Sequence, residues 1–337
     1  MSGQLSTALF GCGRIGAGYA ADPVMARHYR YTTHAQVLRD HPAFAFAAAI
    51  DTDPVASGEV EKRFGAAQSG TSVHAIADPA AIDVAVLATP PGERLAILAG
   101  LPRLRAAVVE KPLGATPEEA AALVRYCAGR GIALQVALPR RVDKSHRALA
   151  EGGLGLRIGA IQGAFIVYGN GLMNNATHMI DLARMLLGEV EEAEVPAGLT
   201  PYREGPLASD VNVPFVLRMA PNLPVMGLPI AFASYRENAL DVWGERGRLA
   251  LVQEGLRLVQ HLRADNRAMS GERELVNDAG ETATTTIGEA FYALYDDLAD
   301  ALAEGRPPAS AGENALQTAR VVAAIQRSCG SGRAERP

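Results

Sequence analysis

The sequence predicts an α/β protein in two parts: a doubly wound parallel sheet, then an α+β domain built on a largely antiparallel open sheet. Three observations carry this expectation. Short unbroken apolar runs at 7–10, 44–50, 84–88, 106–109 and 132–138 alternate with longer helix-like segments, as strands covered on both faces by crossover helices must. A glycine-rich turn, Gly11-Cys12-Gly13-Arg14-Ile15-Gly16, directly follows the first run. After about Pro139 the alternation gives way to strand candidates separated by turn signals, the pattern of an antiparallel meander.

Within the first part, the helix after the fourth run has its own start and stop signals. Thr116, Pro117 and Glu119 fit a capping box with proline at the first helical position, and Gly129 offers a stop. The second part predicts a strand at 158–168, a helix at 175–187 and strands at 213–219, 230–235, 239–242 and 248–252, with a turn at 244–247. Helices at 290–302 and 314–327, parted by a breaker at 305–308, close the chain, and 330–337 reads as a frayed tail. The expected division is a doubly wound domain over 1–138, an α+β domain over 139–330, and a tail over 331–337.

Composition narrows the function. With 48% hydrophobic and 20% charged residues the chain can bury a core, which excludes fibrous and disordered classes. Thirty-two basic against 37 acidic residues leave a net charge of −5, the wrong sign for gripping nucleic acid. The longest apolar run, 43–50, falls far short of the roughly 20 residues that span a bilayer, so no membrane association is expected. Gly11, Gly13 and Arg14 interrupt the first apolar stretch, which argues against a signal peptide and for a cytoplasmic location. Cys12, Cys127 and Cys329 are widely separated, and His28, His34, His41, His74, His146 and His261 have no ligand spacing, so neither a disulfide framework nor a metal site is expected. Only Lys62, Lys111 and Lys144 are lysines, leaving 32 − 3 = 29 arginines. Arginine can replace lysine on a solvated surface but cannot give up its proton, so each lysine stands out.

Several motifs carry chemistry. Gly11, Gly13 and Gly16, with Arg14 and Ile15 among them, allow a tight turn, a close approach to a pyrophosphate and close helix–strand packing, the fingerprint of a Rossmann dinucleotide site. Asp51, ending the second strand, can accept hydrogen bonds from the adenosine ribose and would repel a 2′-phosphate, favouring NAD over NADP. Its spacing is long, 51 − 16 = 35 against the usual 20 or so, which implies that the glycine turn opens a first helix and that an insertion within 20–31 follows that helix and leans over cofactor or substrate. The same residues, Asp51-Thr52-Asp53-Pro54, also make a good helix cap. Thr89 and Pro90 follow the next strand, and Glu110-Lys111-Pro112 the one after. Ligands bind beyond the carboxyl ends of such strands. Lys111 there can hydrogen-bond a reacting oxygen and stabilise its alkoxide character; the alternative is a surface lysine.

The glycine turn, the Thr-Pro-Pro turn and above all Glu110-Lys111-Pro112 resemble the glucose-fructose oxidoreductase/inositol dehydrogenase/MocA (Gfo/Idh/MocA) family. The resemblance runs on through Pro139-Arg140-Arg141, 174–181, the turn at 243–248 and the last helix pair, ending near Ser328. It implies an NAD(P)-dependent dehydrogenase with a Rossmann domain and a C-terminal α+β domain, acting on a secondary alcohol or ketone of a sugar, cyclitol or nucleotide sugar. It also implies a homodimer or homotetramer formed through the C-terminal sheet. In the family, 174–181 supplies an Asp and, four residues on, a His. Here His178 matches the histidine but Asn174 stands at the Asp position. An amide cannot take up a proton, so proton transfer falls to His178 and Lys111, with Asn174 and Asn175 holding substrate hydroxyls. Asn174 or Asn175 could instead cap the following helix, and Asp181 could orient His178 or simply pack. Arg141, beside Arg140, is placed to meet an anionic substrate group. Where the family often has a histidine after Thr-Pro-Pro, Gly92-Glu93-Arg94 stands here. The alternatives are an NAD-dependent glycosidase working by transient oxidation and a non-catalytic dinucleotide sensor.

Overall fold

A computed structural model describes residues 3–275 and 280–337. The chain divides into two compact units, Met1–Val142 with Gly288–Leu316, and Asp143–Ile287 with Gln317–Pro337.

The first unit opens with β1 (Leu5–Phe10), α1 (His34–Asp40), β2 (Phe44–Ile50), α2 (Pro54–Phe64), β3 (Ser69–Gly70), β4 (Val84–Leu87), α3 (Arg94–Ala99), β5 (Ala106–Val109), α4 (Pro117–Gly129) and β6 (Ala133–Val136). Its six strands are all parallel in the order β3-β2-β1-β4-β5-β6. Every residue of β4 and β5 is fully buried, which is why these strands read as unbroken apolar runs rather than alternating ones. The strand order reverses at β1 and β4, so their carboxyl ends flank the crevice in which such sheets bind ligands. The start of α4 follows the expected cap: Thr116 Oγ1 accepts from Glu119 N at 3.3 Å. The Glu119 carboxylate turns to Ala115 N at 2.8 Å instead of closing the box. The left-handed turn that ends the helix falls at Gly131, φ +66°, two residues beyond the expected stop.

The second unit contains α5 (Lys144–Ala148), α6 (Leu154–Ile158), β7 (Ile161–Tyr168), α7 (Thr177–Leu187), β8 (Val190–Glu194), β9 (Phe215–Met219), β10 (Leu223–Pro229), β11 (Ala239–Gly244), β12 (Gly247–Val252), β13 (Arg257–Asp265), β14 (Arg273–Leu275) and β15 (Glu281–Thr284). They form one mixed sheet in the order β14-β13-β12-β11-β7-β10-β9-β8, with β15 also on β13. Only the β7–β10 pair is parallel. Its core packs Ile166, Val225, Leu240 and Leu249 against Met179, Ile180 and Ala183 of α7.

No strand occupies 230–235. The strand lies at β10, just before it, where Pro224 and Pro229 read as breakers. Pairing of β10 with β7 begins at Val225 and ends at Pro229, so Pro224 precedes the first rung on that side and its missing N–H interrupts nothing there. The sequence also left β8 and β13 to β15 unassigned, because charged residues on their open face obscure the two-residue period.

The last segment of the chain holds α8 (Ala290–Glu304) and α9 (Gly312–Ser331). Leu294, Tyr295 and Leu298 are buried with Leu9, Phe44 and Val84, and Val136 N donates to Ser310 O at 2.8 Å. Residues 288–316 thus return to the first unit, which differs from the linear division at 138/139. The tail is not frayed. Glu335 and Ala193 exchange backbone hydrogen bonds at 2.8 and 2.9 Å, laying the tail beside β8. Among the described residues, no helix is long and apolar enough to cross a membrane.

Candidate active site

The glycine turn has the shape a dinucleotide needs. Gly11 has φ +92°, and a Cβ there would stand 2.5 Å from Ala88 O; at Gly16 it would stand 2.1 Å from Gly11 O. Around Gly13 there is open space, and it is exposed, as suits the position that lets a pyrophosphate approach the backbone. The turn does not run directly into a long helix, contrary to the sequence expectation. Ala17 N and Gly18 N bond Gly13 O at 2.9 and 3.0 Å, but His34 N then donates to Ile15 O at 3.2 Å and Ala35 N to Gly16 O at 2.9 Å. In a continuous helix residues 19 and 20 would make those bonds. The insertion is therefore looped out of the helix itself: 34 − 19 = 15 residues are skipped. Removing them returns the Gly16 to Asp51 spacing to 35 − 15 = 20, about the usual value. Described contacts of the looped-out residues run to Arg14, whose guanidinium lies 5.5 Å from the Tyr19 ring, and to the segment before α8. There Arg30 N donates to Gly288 O at 3.1 Å, and Tyr31 packs on Tyr292, in the first turn of α8, at 5.0 Å.

Asp51 belongs to the same turn. Its Oδ2 accepts from Cys12 N at 2.7 Å and its Oδ1 from Asp53 N at 2.9 Å. The helix-capping role falls to Asp53, whose Oδ1 accepts from Val55 N at 2.9 Å at the start of α2. The Cys12 thiol is pushed up to about 12 by burial and by the Asp51 charge, so it stays protonated and unreactive. Asp51→Ser should weaken NADH binding about tenfold, the worth of a charge-assisted hydrogen bond, and narrow the preference over NADPH. Fluorescence titration of both nucleotides measures this, and tighter binding of NADPH by the unmodified chain would remove Asp51 from cofactor selection.

Thr89 and Pro90 follow the end of β4, and Glu110 and Lys111 follow the end of β5. Sequence reasoning missed the residue that ties these turns together. Arg94 is 2% exposed. Its Nε and one terminal nitrogen donate to Thr89 O at 3.2 and 2.9 Å, and the other terminal nitrogen to Pro112 O at 2.6 Å and Leu113 O at 3.0 Å. Thr89 Oγ1 is buried with no hydrogen-bond partner among the described residues, an orphan that a bound polar group would satisfy. Glu110 Oε1 lies 3.1 Å from His34 Nε2, and His34 Nδ1 2.6 Å from the Tyr295 hydroxyl. Lys111 is half-buried, whereas Lys62 and Lys144 are exposed. Arg140 (buried) and Arg141 (half-buried) lie on the Pro139–Arg141 turn after β6.

In the second unit, Asn174 and Asn175 stand on a wide turn, Leu172–Ala176, that leads into α7. Neither asparagine supplies the cap. The buried carboxylate of Asp210 does: Oδ1 accepts from Met173 N at 3.1 Å and Val211 N at 2.9 Å, and Oδ2 from Asn174 N at 2.9 Å. Asn212 Oδ1 accepts from Gly171 N at 2.8 Å. Gly171 has φ +97°, and a Cβ there would stand 2.0 Å from Asp210 Oδ2, so only glycine fits. Asn175 Nδ2 is buried with no hydrogen-bond partner among the described residues. His178 is the one residue of 175–184 that is not buried. Asp181 has a structural role: its Oδ1 accepts from Thr318 Oγ1 at 2.9 Å and faces Arg184 at 3.6 Å.

The first unit thus gathers the glycine turn, Asp51, Thr89, Glu110 and Lys111 at one end of its sheet, and the second gathers Asn174, Asn175 and His178 at the start of α7. Comparisons with known proteins agree with this fold. The model of an oxidoreductase family's NAD-binding Rossmann fold, Gfo/Idh/MocA, matches residues 5–138, and that of the family's C-terminal alpha/beta domain matches residues 169–335. A comparison with curated proteins matches none of them. Among solved structures, an oxidoreductase from Agrobacterium radiobacter in complex with NAD+, L-tartaric acid and magnesium is 19% identical, with TM-score 0.73 and coverage of 99% of this chain and 98% of that one. Levoglucosan dehydrogenase in complex with NADH and levoglucosan is 20% identical, with TM-score 0.74 and 99% coverage of each chain. The WlbA dehydrogenase from Bordetella pertussis in complex with NADH and UDP-GlcNAcA is 19% identical, with TM-score 0.75 and coverage of 100% of this chain and 99% of that one. These likenesses are of fold. With both family models matched over most of its length, the chain belongs to the Gfo/Idh/MocA oxidoreductase family and is an enzyme with an NAD-binding Rossmann domain.

Proposed function

We propose that this enzyme interconverts a secondary alcohol and a ketone on a sugar, cyclitol or nucleotide sugar. The observation that carries the reading is the half-buried Lys111, beyond the carboxyl end of β5 in a unit whose glycine turn and Asp51 fit NAD. Bound NAD supplies the nicotinamide ring that takes hydride from the alcohol carbon or returns it. Gly11, Gly13, Arg14, Ile15, Gly16 and Asp51 hold its adenosine and pyrophosphate side, with Thr89, Pro90, Glu110 and Lys111 lining the rest. Lys111 donates a hydrogen bond to the reacting oxygen and stabilises its negative character. His178 takes up or returns the hydroxyl proton, and a side chain that titrates near neutrality suits that exchange. Asn174, whose backbone is held by Asp210, and Asn175 bind neighbouring hydroxyls, since an amide both donates and accepts. Arg141 meets an anionic substituent where the substrate has one.

The test is a screen of sugars, cyclitols and sugar nucleotides with NAD, followed by absorbance of NADH. Oxidation of one class with saturable kinetics supports the proposal. Release of reducing sugar with no net NADH would instead assign a glycosidase working by transient oxidation. NADH binding without turnover across the screen would favour a sensor.

The enzyme is also proposed to be a homodimer or homotetramer joined through the open face of the second unit's sheet. That face exposes Phe165, Met226, Leu228 and Trp243, from 37% to 47% each. Phe165 on β7 is directly opposite Met226 on β10, so these side chains adjoin in one apolar patch of the kind that marks interfaces. Met226→Glu should shift the sedimenting species toward monomer. An unchanged sedimentation profile would place the interface elsewhere.

A further inference from the structure

The residue before Lys111 ends a buried line of three side chains. Glu110 Oε1 is 3.1 Å from His34 Nε2, and His34 Nδ1 is 2.6 Å from the Tyr295 hydroxyl. His34 and Tyr295 are fully buried, and the Glu110 side chain is 12% exposed.

Chemistry gives the line one direction. An ionised carboxylate only accepts, so Nε2 must carry the proton that goes to Glu110. In a neutral ring Nδ1 is then the acceptor, and the Tyr295 hydroxyl donates to it. Burial, and after it the nearby Glu110 charge, raise Tyr295 well above the usual phenol range, so it keeps the proton it donates. The line ties three parts of the first unit together. Tyr295 belongs to α8. His34 is the first residue of α1, set in register by the bond from its N–H to Ile15 O in the glycine turn. Glu110 begins the turn that bears Lys111.

We propose that His34 is a positioning residue for the reaction: with its tautomer set by Tyr295, it holds the Glu110 carboxylate and thereby the backbone from which Lys111 projects. The looped-out insertion explains why sequence spacing concealed this. His34 occupies the helical place that residue 19 would fill in a continuous helix, 15 residues earlier in number. The proposal rests on the role given above to Lys111, and its test is chosen to separate the two.

The variants are Tyr295→Phe, which removes one hydroxyl and keeps the ring, His34→Leu, which removes both hydrogen bonds, and His34→Gln, which keeps one donor and one acceptor. The readout that needs no substrate is reductive methylation of the full-length protein, with peptide mass spectrometry. Exposed Lys62 and Lys144 serve as internal references for Lys111. Tyr295→Phe and His34→Leu should change the relative methylation rate of Lys111 by about threefold or more, and His34→Gln should recover most of the original rate. With a substrate in hand, kcat should fall about tenfold in Tyr295→Phe, more in His34→Leu, while NADH affinity stays within about twofold. Folded Tyr295→Phe with unchanged Lys111 methylation overturns the proposal, whether or not His34→Leu folds. So does failure of His34→Gln to recover the rate, because the role would then be packing. A changed methylation rate in a protein that oxidises nothing in the screen supports the positioning role and counts against the dehydrogenase reading.

Discussion

Lys111→Arg should lower kcat/KM about a thousandfold while leaving NADH binding within about threefold, although it keeps the charge. Removing one donor aimed at a developing oxyanion typically costs a hundred- to a thousandfold in rate. A guanidinium does not stand in for the ammonium here: it is planar, wider at its tip and unable to yield a proton. Lys111 is one of three lysines among 32 basic residues and the only one of the three that is not exposed. Steady-state kinetics on a substrate from the screen, paired with fluorescence titration of NADH, gives both numbers. Undiminished turnover in the variant would remove Lys111 from the chemistry and leave it a cofactor contact at most.

Arg94→Met should unfold the first unit at markedly lower denaturant concentration. The methylene stem is preserved, but Thr89 O, Pro112 O and Leu113 O lose the donor they share. A buried polar group left without a partner costs about 1–3 kcal/mol. Three acceptors, some of them rescued by water, put the total near 3–5 kcal/mol, a large fraction of the 5–15 kcal/mol that holds a typical domain together. Burial brings the Arg94 guanidinium down to about 10, partly offset by Glu110 and Glu119, so it is still charged at neutral pH. Arg94→Lys should recover only part of the loss, because an ammonium is a compact donor that cannot bridge two turns as a planar fork does. Urea unfolding followed by circular dichroism measures the loss, and NADH titration reports whether both turns keep their places. An unchanged midpoint would mean that the turns hold without the arginine.

Arg94 also shows why part of the site was illegible. The sequence placed it where the family often has a histidine, but one arginine among 29 carries no signal of burial. Its partners lie five to 19 residues away on two different turns. Asp210 was hidden in the same way. Nothing in 200–213 marks it as the cap of a turn 36 residues earlier, so the expectation fell on Asn174 and Asn175. The spacing to Asp51 was legible as an anomaly that called for an insertion, but the expectation set it after the first helix. That the insertion interrupts the first helix, so that α1 resumes the ladder begun at the glycine turn, needed the bonds from His34 and Ala35 to Ile15 and Gly16.

The sequence by itself determined what short-range physics encodes. Unbroken apolar runs meant strands covered on both faces, as β4 and β5 are, and three glycines after the first strand meant a turn where a side chain at two of them would collide with backbone. It also singled out Lys111 by residue type and neighbourhood, and His178 through the family resemblance. Tertiary structure alone brought together the contacts around them: the line from Tyr295 through His34 to Glu110, the Arg94 tie and the Asp210 cap. Those contacts join side chains as far as 261 residues apart. A hydrogen bond depends on distance in space, and only the folded path of the chain brings such partners within reach.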